Sequence, residues 1–133
     1  MTFKLKPKYS SEHQEQSRLI KWAWYRAATI PELRLLFAIP NGGRRDAATG
    51  AMLKREGTKR GVPDLMLPVA RHGFNGLFIE LKRRTGGKVS PEQHDWIERL
   101  RSAGYAVCVC HGFDAAVRAI EQYLSHGADA GGV

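Results

Sequence analysis

The chain has 133 residues, 43% of them hydrophobic, with 21 Lys+Arg against 13 Asp+Glu for a formal charge of +8 and a pI near 9.9. That length gives one domain around a single core, and the hydrophobic share excludes a disordered chain. No apolar run approaches the length of a membrane span, and Met1–Tyr9 is polar and basic with no apolar segment behind it, so neither a transmembrane protein nor a signal peptide is expected.

In chain order, Met1–Tyr9 reads as a flexible basic arm (residues 1–9) ahead of a single domain at 10–127, with 128–133 a frayed tail. Ser10 or Ser11 starts a helix, and Ser11 with Gln14 three residues on fits a capping box. Leu19, Ile20, Ala23, Ala27 and Ala28 keep helical spacing to about Ala28. Glu12 and Glu15 fall on its first turns, where acids favour the helix dipole. Leu33–Ile39 is continuous and apolar enough for a central strand. It enters Pro40-Asn41-Gly42-Gly43, where Asn41 reads as a ligand or site-positioning contact and equally as turn chemistry. Arg44 to Arg60 is polar, weakly helical around Ala47–Arg55, and reads as a ligand-facing loop and short helix or as a solvated surface.

Leu65–Val69 and Leu77–Leu81 flank a segment containing Gly73, Asn75 and Gly76, the pattern of a β-hairpin. After it comes the basic loop Arg83–Lys88, and then Ser90 caps a helix with Pro91 first and Gln93 at the capping-box position. Trp96, Ile97 and Leu100 form the buried face of that helix, and Gly104 is its C-terminal cap. Tyr105–Cys110 is a further strand, expected parallel to the second hairpin strand because a helix connects them. Phe113-Asp114 opens an amphipathic last helix running to Gly127. Cys108 and Cys110 are read as pointing to opposite faces of their strand, unable to form a disulfide with each other, and as small apolar residues of a reducing cytoplasm. The sum is an α/β fold, a small mixed sheet with helices on its faces.

With the hairpin centred near His72 or Gly73, Asp64 falls beside Glu80–Lys82, and Glu80 and Lys82 share a face while Leu81 points away. Two carboxylates and an ammonium then converge. Carboxylate oxygens are hard ligands suited to Mg²⁺ or Mn²⁺. A metal so held polarises a phosphodiester, and a lysine beside it steadies the attacking water or the developing charge. Charge alone leaves a polyanion partner level with a merely soluble surface. The clustering of Arg44, Arg45, Lys54, Arg55, Lys59, Arg60, Lys82, Arg83, Arg84 and Lys88 around this point favours the polyanion.

Pro63-Asp64 followed after a turn by Glu80-Leu81-Lys82 resembles the PD-(D/E)xK nuclease core, a short pattern that also arises by chance. The wider blocks are more specific. Ile39-Pro40-Asn41-Gly42-Gly43, Lys54-Arg55-Glu56-Gly57 leading to Gly61-Val62-Pro63-Asp64-Leu65, and Ser90-Pro91-Glu92-Gln93 with Gly104-Tyr105 are similar to the stand-alone virus-type replication-repair nuclease (VRR-Nuc) family, over roughly Glu12 to Leu124. The resemblance implies a restriction-endonuclease-like core and a metal-dependent endodeoxyribonuclease. Asp64, Glu80 and the Leu81 carbonyl would hold Mg²⁺ or Mn²⁺, joined by a glutamate of the first helix, Glu12 before Glu15. Lys82 would orient the water and Gln93 assist, while Asn41, Arg44, Arg45, Lys54, Lys59, Arg60, Arg83 and Lys88 contact DNA. It further implies branched DNA such as Holliday junctions as substrate, DNA repair, a homodimer, and a cytoplasmic setting in a bacterial cell or phage-infected host.

The alternatives are a non-cleaving DNA-binding module of the same fold and a sequence-specific restriction-type endonuclease. The five histidines are scattered without zinc spacing, and Gly57…Gly61 lacks the P-loop lysine and serine, so neither a zinc site nor a nucleotide cofactor is expected. Trp96 is read as core, and an exposed Trp22 or Trp24 would mark a subunit interface.

Overall fold

The structure, a computed structural model, describes residues 11–40 and 47–125. The arm at 1–9, Asn41, Arg44, Arg45 and the tail at 128–133 lie outside those residues, as do the expected domain limits at 10 and 127.

Helix α1 (Glu12–Arg26) opens on the expected capping box. The Gln14 amide donates to Ser11 Oγ at 3.2 Å, and the Ser11 amide donates to Gln14 Oε1 at 2.8 Å. Leu19, Ala23 and Ala27 carry its buried stripe. The segment read as a central strand, Leu33–Ile39, is different. Pro31 presets the φ of a 3₁₀ turn at Pro31–Leu35, of which only Leu33 enters the core, and Glu32 is drawn outward by a 3.0 Å ion pair with Arg71. What remains is a two-residue strand, β1 (Phe37–Ala38), at the edge of the sheet among the described residues.

Helix α2 (Ala47–Arg55) buries no side chain. Strands β2 (Leu65–Leu67) and β3 (Leu77–Lys82) form the hairpin, with Leu65 opposite Ile79. The hairpin turns at His72-Gly73, with φ of 53° and 82°, and Arg71 and Phe74 exchange both backbone hydrogen bonds. Two successive positive φ values are what a twisted hairpin's two-residue turn demands. Helix α3 (Pro91–Ser102) ends where Gly104, at φ 93°, lets the Gly104 and Tyr105 amides reach the Arg101 and Leu100 carbonyls. Strand β4 (Ala106–His111) runs parallel to β3, and helix α4 (Phe113–Leu124) stops three residues before Gly127.

Among the described residues the sheet is four-stranded in the order β1-β2-β3-β4, antiparallel but for the last pair. One face, through Leu65, Leu67, Leu77, Ile79 and Leu81, packs on α1 and α4. The other, through Met66, Phe78 and Val107, packs on Ile97 of α3. Period-two alternation therefore puts Asp64, Glu80 and Lys82 on the α3 side. The same rule corrects the cysteines: residues two apart in a strand share a face, and Cys108 and Cys110 both lie against the α1 and α4 layer as free thiols. Burial raises both thiols, Cys110 to about 12, so they stay protonated and unreactive. Trp22 packs against the first cluster and Trp24 is 81% exposed. Trp96 is half-buried and belongs to neither cluster, so it is not the core residue its helical spacing indicates.

Candidate active site

Strand β2 begins at Leu65, directly after Pro63-Asp64, and the hairpin register carries Asp64 to the end of β3. The Leu81 amide donates to Asp64 Oδ2 at 2.7 Å. The Gly76 and Lys82 carbonyls accept from Ala106 and Gly112 on the β4 side, so strand alternation turns the Leu81 amide and carbonyl toward Asp64 instead. The chain before Asp64 is held close to α3. Gly61, at φ 90°, leaves so little room that a Cβ there would stand 2.9 Å from the Glu92 backbone.

Glu80 is 2% exposed and Lys82 is 7% exposed. Gln93 Nε2 donates to Glu80 Oε1 at 2.9 Å, and Lys82 Nζ donates to Gln93 Oε1 at 3.0 Å. Lys82 Nζ also stands 3.6 Å from Glu80 Oε1. The amide of Gln93 cannot turn over, because its Oε1 also accepts from the Ser90 backbone amide at 2.8 Å. One side chain thus closes the capping box of α3 and bridges Glu80 to Lys82. Gly87 packs on the Lys82 stem, where a Cβ would meet Lys82 Cβ at 3.0 Å, so the loop after β3 folds back over the lysine.

The remaining oxygen, Glu80 Oε2, is buried with no hydrogen-bond partner among the described residues. A buried carboxylate without a partner is costly, and here the cost appears as raised proton affinity. Burial first, then the Asp64 charge, push Glu80 up to about 8. Asp64 is also raised, chiefly by burial and further by the charge of Glu12, against the Leu81 hydrogen bond that lowers it. Two carboxylates that resist ionising together form a site short of positive charge. The donor set, two carboxylates and a backbone carbonyl, is all oxygen and suits a hard divalent cation. Side chains alone fall short of a full shell, since no three His, Cys, Asp or Glu residues are gathered among the described residues.

The two glutamates of α1 separate. Glu15 is fully buried, accepting from Arg84 Nε at 3.1 Å and from the Phe113 amide at the start of α4 at 2.9 Å. Glu12 is exposed, and its charge is felt at Asp64. Of the residues expected to meet DNA, Lys54, Lys59, Arg60, Arg83 and Lys88 are all exposed. The role of Glu15, and the cleft beside Trp96 described below, are not marked by any spacing in the sequence.

A model of the VRR-NUC domain matches residues 9–114. A solved structure described as a VRR_NUC domain protein is 28% identical, with a TM-score of 0.70 over 88% of this chain and 90% of that one. Comparison with curated proteins returns no match.

Proposed function

The chain belongs to the VRR-NUC domain family, and from that premise we propose that it is a divalent-metal-dependent endonuclease that hydrolyses phosphodiester bonds in DNA. The observation that carries this reading is Glu80: a buried carboxylate with one oxygen unpartnered, beside Asp64, with an ammonium on its other oxygen. A core that needed only stability has no use for such a group.

Asp64, Glu80 and the Leu81 carbonyl are the residues that would hold Mg²⁺ or Mn²⁺; Glu12, which is not gathered with them but whose charge is felt at Asp64, would have to move in to join the set. Such a cation supplies Lewis acidity toward the phosphodiester. Lys82, held by Gln93 at 3.0 Å, orients the attacking water and faces the charge developing on the phosphoryl oxygens. Gln93 keeps Lys82 and Glu80 in register with one another. Water adds to phosphorus and the bond to the 3′ oxygen breaks, leaving a 5′-phosphate. Lys54, Lys59, Arg60, Arg83 and Lys88, with Asn41, Arg44 and Arg45, hold the backbone and carry no sequence information.

We further take the substrate to be branched DNA such as four-way junctions, cut by a homodimer because two opposed strands need two sites. Trp24 and Tyr25, 81% and 75% exposed on one turn of α1, supply apolar surface for that interface. The test is cleavage of labelled four-way junction, flap and linear duplex with Mg²⁺, Mn²⁺ or EDTA, comparing the wild type with Asp64→Ala and Lys82→Ala. Metal-dependent cuts near the branch, lost in both variants, are expected. Tight binding with no cutting of any substrate would instead make the chain a DNA-binding module.

A further inference from the structure

Trp96 has the position of a working residue. Its indole belongs to neither apolar cluster and makes no hydrogen bond among the described residues. It lines a cleft of about 380 Å³ together with the apolar side chains of Ile39, Pro40 and Val62 and with Thr58 and Lys59. That volume lies in the range of small-ligand sites, ~300–1,000 Å³. Both sides of the cleft are tied to the candidate active site. The Ile39 amide donates to the Asp64 carbonyl at 2.7 Å, and Val62 is two residues before Asp64. Trp96 itself follows Gln93 by three residues on α3, so the two side chains are neighbours on the helix, separated by about 4.5 Å of rise.

We propose that this cleft receives an unstacked nucleobase of the DNA substrate, close to the phosphate held at Asp64 and Glu80; the inference rests on the nuclease reading above. Every base has a π face that an indole accepts, and aromatic platforms of this kind bind unpaired bases without reading their identity. Lys59, which also lines the cleft, meets the phosphate that follows the base, with exposed Lys54 and Arg60 close by in sequence. The Thr58 hydroxyl and the Glu56 carboxylate, which also lines the cleft, meet polar groups at the edge of the base. The site therefore selects DNA whose bases are free to leave the stack, as they are at a branch, and disfavours continuous duplex.

The experiment measures binding by fluorescence anisotropy in EDTA, so that it does not depend on cleavage. Labelled junction DNA carries a single abasic residue, moved one position at a time across the branch. For the wild type, one position in the walk should weaken binding about tenfold. Trp96→Ala should lose about tenfold on intact DNA and respond to no position, while Trp96→Tyr, which keeps an aromatic face, should stay within about twofold of the wild type and retain the dip. A flat walk in the wild type, or the same dip in Trp96→Ala, overturns the inference. Because the first outcome is read on the wild type alone, a poorly folding variant does not rescue the proposal. Junctions that are bound and cut with a flat walk sink only the cleft; a wild type that binds no DNA sinks the nuclease reading as well.

Discussion

Glu80 is held by Gln93 on one oxygen and has no hydrogen-bond partner among the described residues on the other, and that asymmetry predicts how the metal-free protein behaves with pH. Its acidity moves from the ordinary 4.5 to about 8 on folding. Between those values the folded chain keeps a proton that the unfolded chain has released, so stability is full below about 4.5 and falls as pH rises toward 8. At about 1.36 kcal/mol per unit, urea melts in EDTA should lose on the order of 2–4 kcal/mol from pH 5 to pH 8. Mg²⁺ should restore much of that at pH 8, and Glu80→Gln should flatten most of the slope, leaving only what Asp64, itself raised by burial, contributes; equal stability at both pH values would contradict the buried carboxylate pair. Gln93→Glu makes a second test at this scale. It preserves a capping box, so helix stability should stay within about 0.5 kcal/mol. It also sets a carboxylate against Glu80, so cleavage should fall by at least about a hundredfold. The pairing of Asp64 with Glu80 and Lys82 was legible in the sequence because a hairpin's register follows from its turn. The amide orientation of Gln93 was not, because it depends on two donors, Ser90 and Lys82, that arrive from different elements.

At the scale of elements, α1 matters less for its own contacts with the sheet than for where its first turn stands. Glu15 bolts it to the loop after β3 through Arg84, and to the start of α4 through the Phe113 amide. Arg84 crosses Gly112 so closely that a Cβ there would meet its Cγ at 2.7 Å. Removing a partner from a buried ion pair leaves the other uncompensated, though Arg84 is partly exposed and recovers some hydration. Glu15→Ala should therefore cost on the order of 2–4 kcal/mol in thermal or urea unfolding, and weaken cleavage through the displaced Glu12. Glu12→Ala should leave stability within about 0.5 kcal/mol and raise the metal concentration needed for half-maximal cleavage. If the two variants behave alike, the division of labour along α1 is wrong. The helix and its cap were readable from spacing alone, because a capping box is local. Glu12 and Glu15 were not separable, because the partners of Glu15 lie 69 and 98 residues away. The misread strand at Leu33–Ile39 has a related cause: an apolar run does not reveal whether it lies at the centre or the edge of a sheet, and Pro31 had already committed its first half to a 3₁₀ turn.

Over the whole molecule, the net charge of +8 is compatible with a polyanion partner but does not say which cations are free to meet one. The structure separates them. Arg71 is paired with Glu32, Arg84 with Glu15 and Asp114, and Arg99 with Asp95, while Arg101 donates to the Val107 carbonyl. Lys54, Lys59, Arg60, Arg83 and Lys88 are exposed and enter no ion pair among the described residues. They lie in the segment before Asp64 and in the loop after Lys82, on either side of the candidate active site in the chain. Each phosphate that a cation neutralises on duplex DNA contributes about −0.9 to the slope of log affinity against log salt. These five contacts alone give a slope near −4.5, and Arg44 and Arg45 would steepen it, so affinity should fall at least several hundredfold between 50 and 200 mM salt. Replacing Lys59 or Arg83 by alanine should make the slope shallower by about one, equally for unrelated DNA sequences, since phosphate contacts carry no sequence information. Arg99→Ala is the matched control: it removes the same charge from the molecule but takes it from an existing pair with Asp95, so the slope should not move. A shift of equal size in Arg99→Ala would mean that binding responds to net charge alone, and that the distinction between free and committed cations has no part in holding DNA.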